Sequence, residues 1–206
     1  MNGRVVEVFA DVVCPFTHVG LRRFVEARAE AGALDVGLRV RAWPLELVNG
    51  KPLDPGFVAE EIDDLRAQVA EDLFVGFDPA TFPTSSLDAL GVAAVAYDHG
   101  PTTGEAVSLA LRDALFERGR PVGDGAVLAA IAADHGVEVP DPAWTRARLD
   151  QDLAEGRERG VIGSPHFFLS DDSWFCPGLE IERRGEHLHI QADEAPFREF
   201  LAQAFA

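Results

Sequence analysis

The sequence predicts a mixed α/β fold in which a long, all-helical insertion interrupts a unit that contains every predicted strand. Three observations predict this class. A β-branched strand is followed at once by an amphipathic helix and a second strand; helical patterns then fill residues 54–160; strand patterns return only after residue 161. We therefore expect one discontinuous unit, residues 1–53 and 161–206, and a helical insertion, residues 54–160.

The first 43 residues predict a strand, a helix and a second strand. Residues 5–10 are β-branched and largely apolar, which is typical of a strand buried on both faces. Apolar side chains then recur at spacings of three and four over residues 16–29, and Gly32 ends that helix. Residues 36–43 alternate apolar and basic side chains up to Pro44, which cannot donate to a sheet. Strands joined through a helix are expected to be parallel.

The insertion predicts five helices separated by proline and glycine. The last of them begins at Asp141, a predicted N-cap with Pro142 in the first helical position, and it ends at Gly160, a predicted C′ residue. The predicted helices cover residues 57–74, 87–99, 105–118, 125–135 and 142–159.

The C-terminal segment predicts a β-hairpin and a final helix. Residues 166–169 and 173–176 form the two strands of the hairpin, with a polar turn at residues 170–172. Residues 187–190 predict a further short strand, and residues 195–205 an amphipathic helix.

The composition excludes several classes of partner. The 206 residues carry 35 Asp and Glu against 18 Lys and Arg, a formal net charge of −17. Nucleic acids and anionic membranes are bound by clustered Lys and Arg, so neither is expected as a partner. Two cysteines cannot build a disulfide framework, and the N-terminus shows neither a long apolar segment nor a cleavage site. We expect a cytoplasmic protein, and no membrane-spanning segment is predicted.

Cys14 lies where the first strand gives way to the first helix. Free N–H groups and the positive end of the helix dipole stabilise a thiolate at such a position, so we expect an acidic, partly exposed thiol. Pro15 fits the first helical turn without the loss of a hydrogen bond. The alternative is that Cys14 is a small buried apolar residue.

A second motif, residues 160–168, approaches a strand through two glycines and Pro165. X–Pro bonds tolerate the cis form at low cost, so the Ser164–Pro165 bond is a candidate cis peptide. An ordinary proline at the start of a strand is the alternative.

Together these motifs resemble the DsbA-like branch of the thioredoxin superfamily. That branch includes thiol-disulfide oxidoreductases and the group of 2-hydroxychromene-2-carboxylate isomerases and kappa-class glutathione transferases. Residues 9–17 are similar to its active-site strand and helix start, residues 160–165 to its cis-proline loop, and residues 83–90 and 111–119 to segments of its insertion. The resemblance implies a thioredoxin fold with a large helical insertion between the second strand and the cis-proline strand.

The motifs and the resemblance together give the candidate site residues. The catalytic candidates are Cys14, Thr17 and Pro165, and the substrate-binding candidates are Pro15, Phe16, Ser164 and His18; the resemblance implies that Ser164 acts through its backbone, whatever its side chain. We expect Thr17 to donate to the Cys14 thiolate, with an ordinary first-turn threonine as the alternative, whereas His18 either tunes that thiol or lies on the surface.

The chain departs from the dithiol members at one position. A dithiol member has a second cysteine where this chain has Thr17, so the motif is the monothiol C-P-F-T. A mixed disulfide on Cys14 then needs another resolving thiol. Three routes are open: a low-molecular-weight thiol resolves it, Cys14 stays reduced and orients a thiol cofactor, or Cys176 resolves it. Antiparallel return of the hairpin brings Cys176 to the Pro165 end, although an inert, buried Cys176 is the stronger expectation.

Other residues have competing interpretations. His166 faces either the site or the opposite side of the sheet. His187 and His189 share one strand face, but no third ligand suggests a metal. Phe16, Phe57 and Trp43 are candidates for an apolar groove, although core packing explains Trp43 better. Residues 60–64 and 71–72 form an acidic run, expected to be a solvated helix face or, alternatively, to repel acidic substrates.

We therefore predict a thiol-disulfide oxidoreductase that acts through Cys14, with glutathione or an equivalent small thiol as co-substrate and no covalently bound cofactor. The alternatives are a thiol-dependent isomerase or transferase, and a thioredoxin-fold binding protein without turnover. The expected partners are small-molecule thiols or disulfides, and a homodimer is left open. Abundant Ala, Gly and Arg, with Lys51 the only lysine, indicate a high-GC bacterial source.

Overall fold

A computed structural model describes residues 4–185 and 187–206. The strands are β1 (Val5–Ala10), β2 (Gly37–Ala42), β3 (His166–Leu169), β4 (Asp172–Phe175), β5 (Leu179–Arg184) and β6 (His187–Ala192). The helices are α1 (Pro15–Glu30), α2 (Leu45–Val48), α3 (Pro55–Gln68), α4 (Leu87–Ala96), α5 (Pro101–Phe116), α6 (Gly125–Asp134), α7 (Pro142–Glu158) and α8 (Glu194–Ala204), with 3-10 turns at Pro79–Thr81 and Tyr97–His99. None of the described helices combines the length and the apolar character needed to cross a membrane.

In a four-stranded sheet of order β2-β1-β3-β4, the N-terminal strands β1 and β2 lie beside the C-terminal hairpin of β3 and β4. β1 and β2 are parallel, as the strand–helix–strand pattern predicts, and β3 runs antiparallel to both β1 and β4. Phe9 pairs with His166. The residues that follow β1 and the residues that precede β3 therefore meet at one end of the sheet, which brings Cys14 and Pro165 to the same place.

Alternation along β1 gives the sheet two buried faces. Val8 packs on one face with Phe24 of α1 and Phe200 of α8. Phe9 points to the other face, where it packs with Trp43. Each fully buried side chain of this size contributes about 1.5–3 kcal/mol through removal of apolar surface from water. The sheet is thus covered on both sides, as the apolar run of β1 predicts.

The insertion helices α3 to α7 pack around one apolar cluster that reaches beyond the insertion. The cluster includes Val13 beside Cys14 and Ile190 on β6. The core is therefore continuous across residues 54 and 161, and the division into two units remains a prediction from the sequence. The ends of α7 are as predicted: the Asp141 carboxylate caps it, and Gly160 follows it with φ of +73°.

Several elements differ from the predictions. The short helix α2 is not predicted, and α5 begins at Pro101, four residues before its predicted start. α3 ends at Gln68, six residues early, where Val69 leaves helical geometry with φ of −145°. Beyond that end, the Glu117 carboxylate accepts hydrogen bonds from the N–H groups of Phe74 and Val75. Phe74 takes a left-handed φ of 63° at that turn. The sequence also fails to predict β5, which pairs with β6 in a separate two-stranded sheet. Leu179 and Ile181 of β5 are half-buried and pack against the insertion cluster, whereas the residues between and after them are exposed.

Candidate active site

Cys14 is the N-cap residue of α1, and Pro15 begins the helix, as the sequence predicts. The Cys14 residue is only 4% exposed, however, and its Sγ donates to the Ser164 carbonyl oxygen at 3.1 Å. The expectation of a partly exposed thiol is therefore wrong. Val12, Val13 and Pro15 are also buried, so the loop folds inward and takes the thiol with it.

The ionisation of Cys14 is set by opposing influences. Burial raises the pKa of the thiol, while hydrogen bonds from the Thr17 hydroxyl, the Ser164 hydroxyl and the Thr17 backbone N–H lower it. The negative charge of Glu61 adds to the increase. Because burial outweighs the hydrogen bonds, the pKa lies above its ordinary value and the predicted acidic thiol is not found.

The Ser164 hydroxyl joins the two strand ends. It accepts from the Asp11 N–H at 2.9 Å, and its oxygen is 2.8 Å from the Thr17 hydroxyl oxygen. The next peptide bond, Ser164–Pro165, is cis. The expected role of the Ser164 backbone stays a prediction; its side chain has a separate place that the sequence does not predict, because this hydroxyl satisfies a buried N–H and reaches the Cys14 sulfur.

Cys176 lies beside Pro165. Its backbone N–H donates to the Pro165 carbonyl oxygen at 3.0 Å, so the hairpin returns to Pro165 as predicted. Both cysteines are free and buried. Burial raises the pKa of the Cys176 thiol, and the neighbouring Cys14 raises it further. Cys176 is thus held close to the site as a buried thiol with a raised pKa.

This juxtaposition of a cysteine at a helix N-terminus with a cis-proline loop coincides with a family match. Residues 5–182 match the DSBA-like thioredoxin domain. The chain belongs to this family. Its general class is therefore that of the DsbA-like redox enzymes and their isomerase relatives, on a thioredoxin fold with a helical insertion. Among functionally curated proteins, none matches the sequence.

Solved structures of several DsbA-like proteins share the fold. A "probable DsbA oxidoreductase" from Streptomyces coelicolor aligns with a TM-score of 0.66 and 22% identity, over 98% of this chain and 89% of its own. A 2-hydroxychromene-2-carboxylate isomerase aligns with a TM-score of 0.60 and 17% identity, over 83% and 88%. The cytosolic disulfide reductase DsbM from Pseudomonas aeruginosa, crystallised with glutathione, aligns with a TM-score of 0.57 and 17% identity, over 82% and 88%. Identities this low establish the common fold alone.

Two other predicted residues of this DSBA-like domain lie near Cys14 in the chain and contact the insertion. Phe16 is half-buried and packs against the insertion cluster, and its substrate-binding role stays a prediction. His18 is buried, meets the Phe74 ring edge-on and the Phe116 ring at a tilt, and has its Nε2 2.6 Å from a Glu117 carboxylate oxygen. The surface interpretation of His18 is therefore wrong, because its ring packs between α1 and the insertion.

The remaining candidate residues from the sequence lie outside the immediate surroundings of Cys14. His166 packs on Phe168, on the sheet face opposite α1, and its Nδ1 accepts from the Ile162 N–H. Trp43 is buried in the core, whereas Phe57 is 40% exposed. Across the two described ranges of the chain, no three His, Cys, Asp or Glu side chains form a metal-ligating group; the notable neighbours of His187 and His189 are Asp64 and Gln191, respectively.

Sequence reasoning missed three charged residues around the thiol. Asp11 and Arg112 are fully buried, and each belongs to a segment quoted for its family resemblance, but neither shows a pattern that marks burial. Glu61 belongs to the acidic run, yet it is half-buried and burial raises its pKa to about 7, against the charge of Arg183. The interpretation of this run as wholly solvated is therefore wrong at Glu61.

Proposed function

We propose that the chain is a thiol-disulfide oxidoreductase that acts through Cys14 alone and is completed by a low-molecular-weight thiol. The observation that carries the proposal is the position of the Cys14 sulfur, at the start of α1 and 3.1 Å from the carbonyl of the residue that precedes Pro165. Helix N-termini favour thiolates, and the thiolate is the nucleophile in disulfide exchange.

In the first step the Cys14 thiol gives up its proton and the thiolate attacks one sulfur of a disulfide R–S–S–R′. The Cys14–S–S–R bond forms, the S–S bond of the substrate breaks, and R′–S⁻ leaves with the electron pair and takes up the proton. In the second step a small thiolate attacks the R sulfur of the mixed disulfide. It forms a new disulfide with R and returns Cys14 as a thiolate, so electrons and atoms balance over the cycle.

The neighbouring residues have separate roles in this proposal. The Thr17 and Ser164 hydroxyls donate to the Cys14 thiolate, and Pro15, Phe16 and Pro165 border the substrate position. A small thiol completes the cycle because Thr17 replaces a second motif cysteine and the Cys176 thiol is buried with a raised pKa. Glutathione is the first thiol to test, since DsbM was crystallised with it.

We further propose that the protein works in the bacterial cytoplasm. The chain has only two cysteines, too few for a disulfide framework, and the structurally similar DsbM is named as a cytosolic disulfide reductase. The homodimer that the sequence leaves open stays a prediction.

Intact-mass spectrometry tests the proposal directly. The wild type, Cys14→Ser and Cys176→Ser are each incubated with glutathione disulfide, a neutral disulfide and a cationic disulfide, and then with reduced glutathione. We expect one adduct on the wild type and on Cys176→Ser, none on Cys14→Ser, and removal of the adduct by the added thiol. An adduct that forms equally on Cys14→Ser, or its absence from all three proteins, would refute the role of Cys14.

A thiol-dependent isomerase or transferase is the second candidate, and the burial of Cys14 favours it. A cysteine with a raised pKa is a poor nucleophile at neutral pH, while two hydroxyls converge on the same point and could hold the thiolate of a bound cofactor. In that case Cys14→Ser keeps its activity with glutathione, whereas the oxidoreductase loses it.

A further inference from the structure

Asp11 joins the Cys14 loop to two distant elements. It directly follows β1, lies three residues before Cys14, and is fully buried. Its carboxylate accepts from the Val13 N–H at 3.2 Å, the Leu45 N–H at 2.7 Å and the Ser86 hydroxyl at 3.1 Å. The carboxylate thus ties the loop to the start of α2 and to the residue that precedes α4.

The backbone of Asp11 extends these links to the insertion. Its carbonyl oxygen accepts from the Arg112 guanidinium on α5 at 3.1 Å. Arg112 is 1% exposed, and its other terminal nitrogen donates to the Ser108 carbonyl and hydroxyl oxygens at 2.8 and 2.7 Å. Its Nε has no hydrogen-bond partner within the described parts of the chain. An insertion helix therefore places a buried cation directly behind the Cys14 loop.

A buried guanidinium is costly unless negative charge lies near it. Burial lowers the pKa of Arg112 to about 10, and the ionised forms of Asp11, then Tyr97, Cys14 and Asp113, oppose this decrease. Burial raises the pKa of Asp11, and its hydrogen bonds and the Arg112 charge oppose that increase. The attraction between Arg112 and an ionised Cys14 is mutual, so the cation favours the thiolate, as a smaller influence than the hydrogen bonds of Thr17 and Ser164. Glu61 on α3 acts on Cys14 in the opposite sense. Cys176, the remaining titratable neighbour, is buried as a thiol.

We propose that Arg112 and Asp11 are positioning residues through which the helical insertion controls the thiol: Arg112 favours the thiolate of Cys14, and Asp11 holds the loop while it offsets part of that cationic charge. The proposal rests on the proposed role of Cys14 as the nucleophile. It assigns the insertion a chemical task, because α5 supplies the cation and the residue before α4 supplies one donor to Asp11.

A charge effect and a packing effect predict different outcomes. If the pair only held the loop in place, then removal of either charge would disturb the thiol in the same direction. If the charges act on Cys14, Arg112→Met makes ionisation harder and Asp11→Asn makes it easier, because Arg112 is then left with the thiolate as its main counter-charge. Arg112→Lys retains the charge with fewer hydrogen bonds.

The test is the pH dependence of iodoacetamide alkylation at Cys14, followed by intact mass in a Cys176→Ala background. We expect Arg112→Met to react about tenfold more slowly than its parent at any pH below the alkylation midpoint, and Arg112→Lys to stay within about threefold. Asp11→Asn is expected to react several-fold faster. Arg41→Met is the matched control, since Arg41 is also buried and paired, with Asp152 and Glu155.

The proposal is overturned if Arg112→Met keeps the parental profile, if Asp11→Asn shifts it in the same direction as Arg112→Met, or if Arg41→Met shifts it equally. Should Arg112→Met fail to fold, the unequal responses of Arg112→Lys and Asp11→Asn decide the question. Alkylation needs no disulfide substrate. The two proposals can therefore fail separately. If the alkylation profiles of the variants shift as expected but Cys14 forms no mixed disulfide, the proposed function is refuted while the influence of Arg112 and Asp11 on the thiol is supported.

Discussion

Replacement of Ser164 by alanine isolates the hydrogen bonds that converge on the thiol. The Ser164 hydroxyl accepts from the Asp11 N–H at 2.9 Å, and its oxygen lies 2.8 Å from the Thr17 hydroxyl oxygen, a hydrogen bond in which either hydroxyl can donate. Hydrogen bonds from both hydroxyls lower the pKa of Cys14. Ser164→Ala removes the Ser164 hydrogen bonds and leaves the Asp11 N–H buried without its acceptor.

Two magnitudes follow from this geometry. An unsatisfied buried N–H costs about 1–3 kcal/mol, so the free energy of unfolding should fall by that amount. A hydrogen bond to a charged group is worth about 1.5–3 kcal/mol, and one pKa unit corresponds to about 1.4 kcal/mol, so the pKa of Cys14 should rise by about one unit or more. Urea unfolding at pH 7 and alkylation rates between pH 6 and 10 measure the two effects.

Ser173→Ala is the matched control, because Ser173 is exposed on β4. It should leave both measurements within error of the wild type. If Ser164→Ala gives the wild-type unfolding midpoint and the wild-type alkylation profile, the hydroxyl neither stabilises the loop nor lowers the pKa of Cys14, and the predicted role of Ser164 is refuted.

Three further predictions concern the fold around the site. Glu117→Ala should lower the free energy of unfolding by about 1–3 kcal/mol. Burial raises the pKa of Glu117, but its hydrogen bonds lower it to about 2, so Glu117 stabilises the fold above its unfolded pKa of 4.5 and this stabilisation is lost as the pH falls toward 2. Urea titrations at several pH values should show this loss in the wild type and not in the variant. Gly156→Ala puts a Cβ 2.6 Å from the Trp43 ring and should cost about 1–3 kcal/mol, whereas Gly136→Ala, with open space, should show only the milder strain of its positive φ. Glu61→Gln should melt at a higher temperature than the wild type at pH 8 but not at pH 4, since a pKa raised to about 7 gives stability that is lost as the pH rises; equal gains at both pH values would contradict it.

The elements that sequence patterns predict well are those whose signals are local. β1, β2 and α1 carry their own periodicity and their own stop residues, and their parallel arrangement follows from the connection alone. The return of the hairpin to Pro165 follows in the same way, because antiparallel pairing fixes which residues end up opposite one another. These elements place Cys14, Pro165 and Cys176 at one end of the sheet.

The predictions that fail depend on contacts between distant segments. In the stretch predicted as the end of α3, the N–H groups of Phe74 and Val75 instead donate to Glu117, more than 40 residues away. β5 becomes a strand because β6 pairs with it beside α3. The pattern of its own helix leaves His18 either as a group that tunes Cys14 or as a surface residue, and it gives no sign of Phe74, Phe116 and Glu117, which contact His18 from distant segments.

The same distinction explains why the sequence locates the thiol but does not set its reactivity. The helix N-terminus is a local feature, and it stabilises a thiolate by a modest amount that falls off within one turn. Burial is a tertiary feature, and at 4% exposure its effect on Cys14 is larger. A buried thiolate therefore needs partners that arrive from elsewhere in the chain: the Ser164 hydroxyl from the cis-proline loop and the Arg112 charge from the insertion. The helical insertion is thus part of the chemistry of the thiol, since without it Cys14 would keep its helix terminus and lose the cation behind its loop.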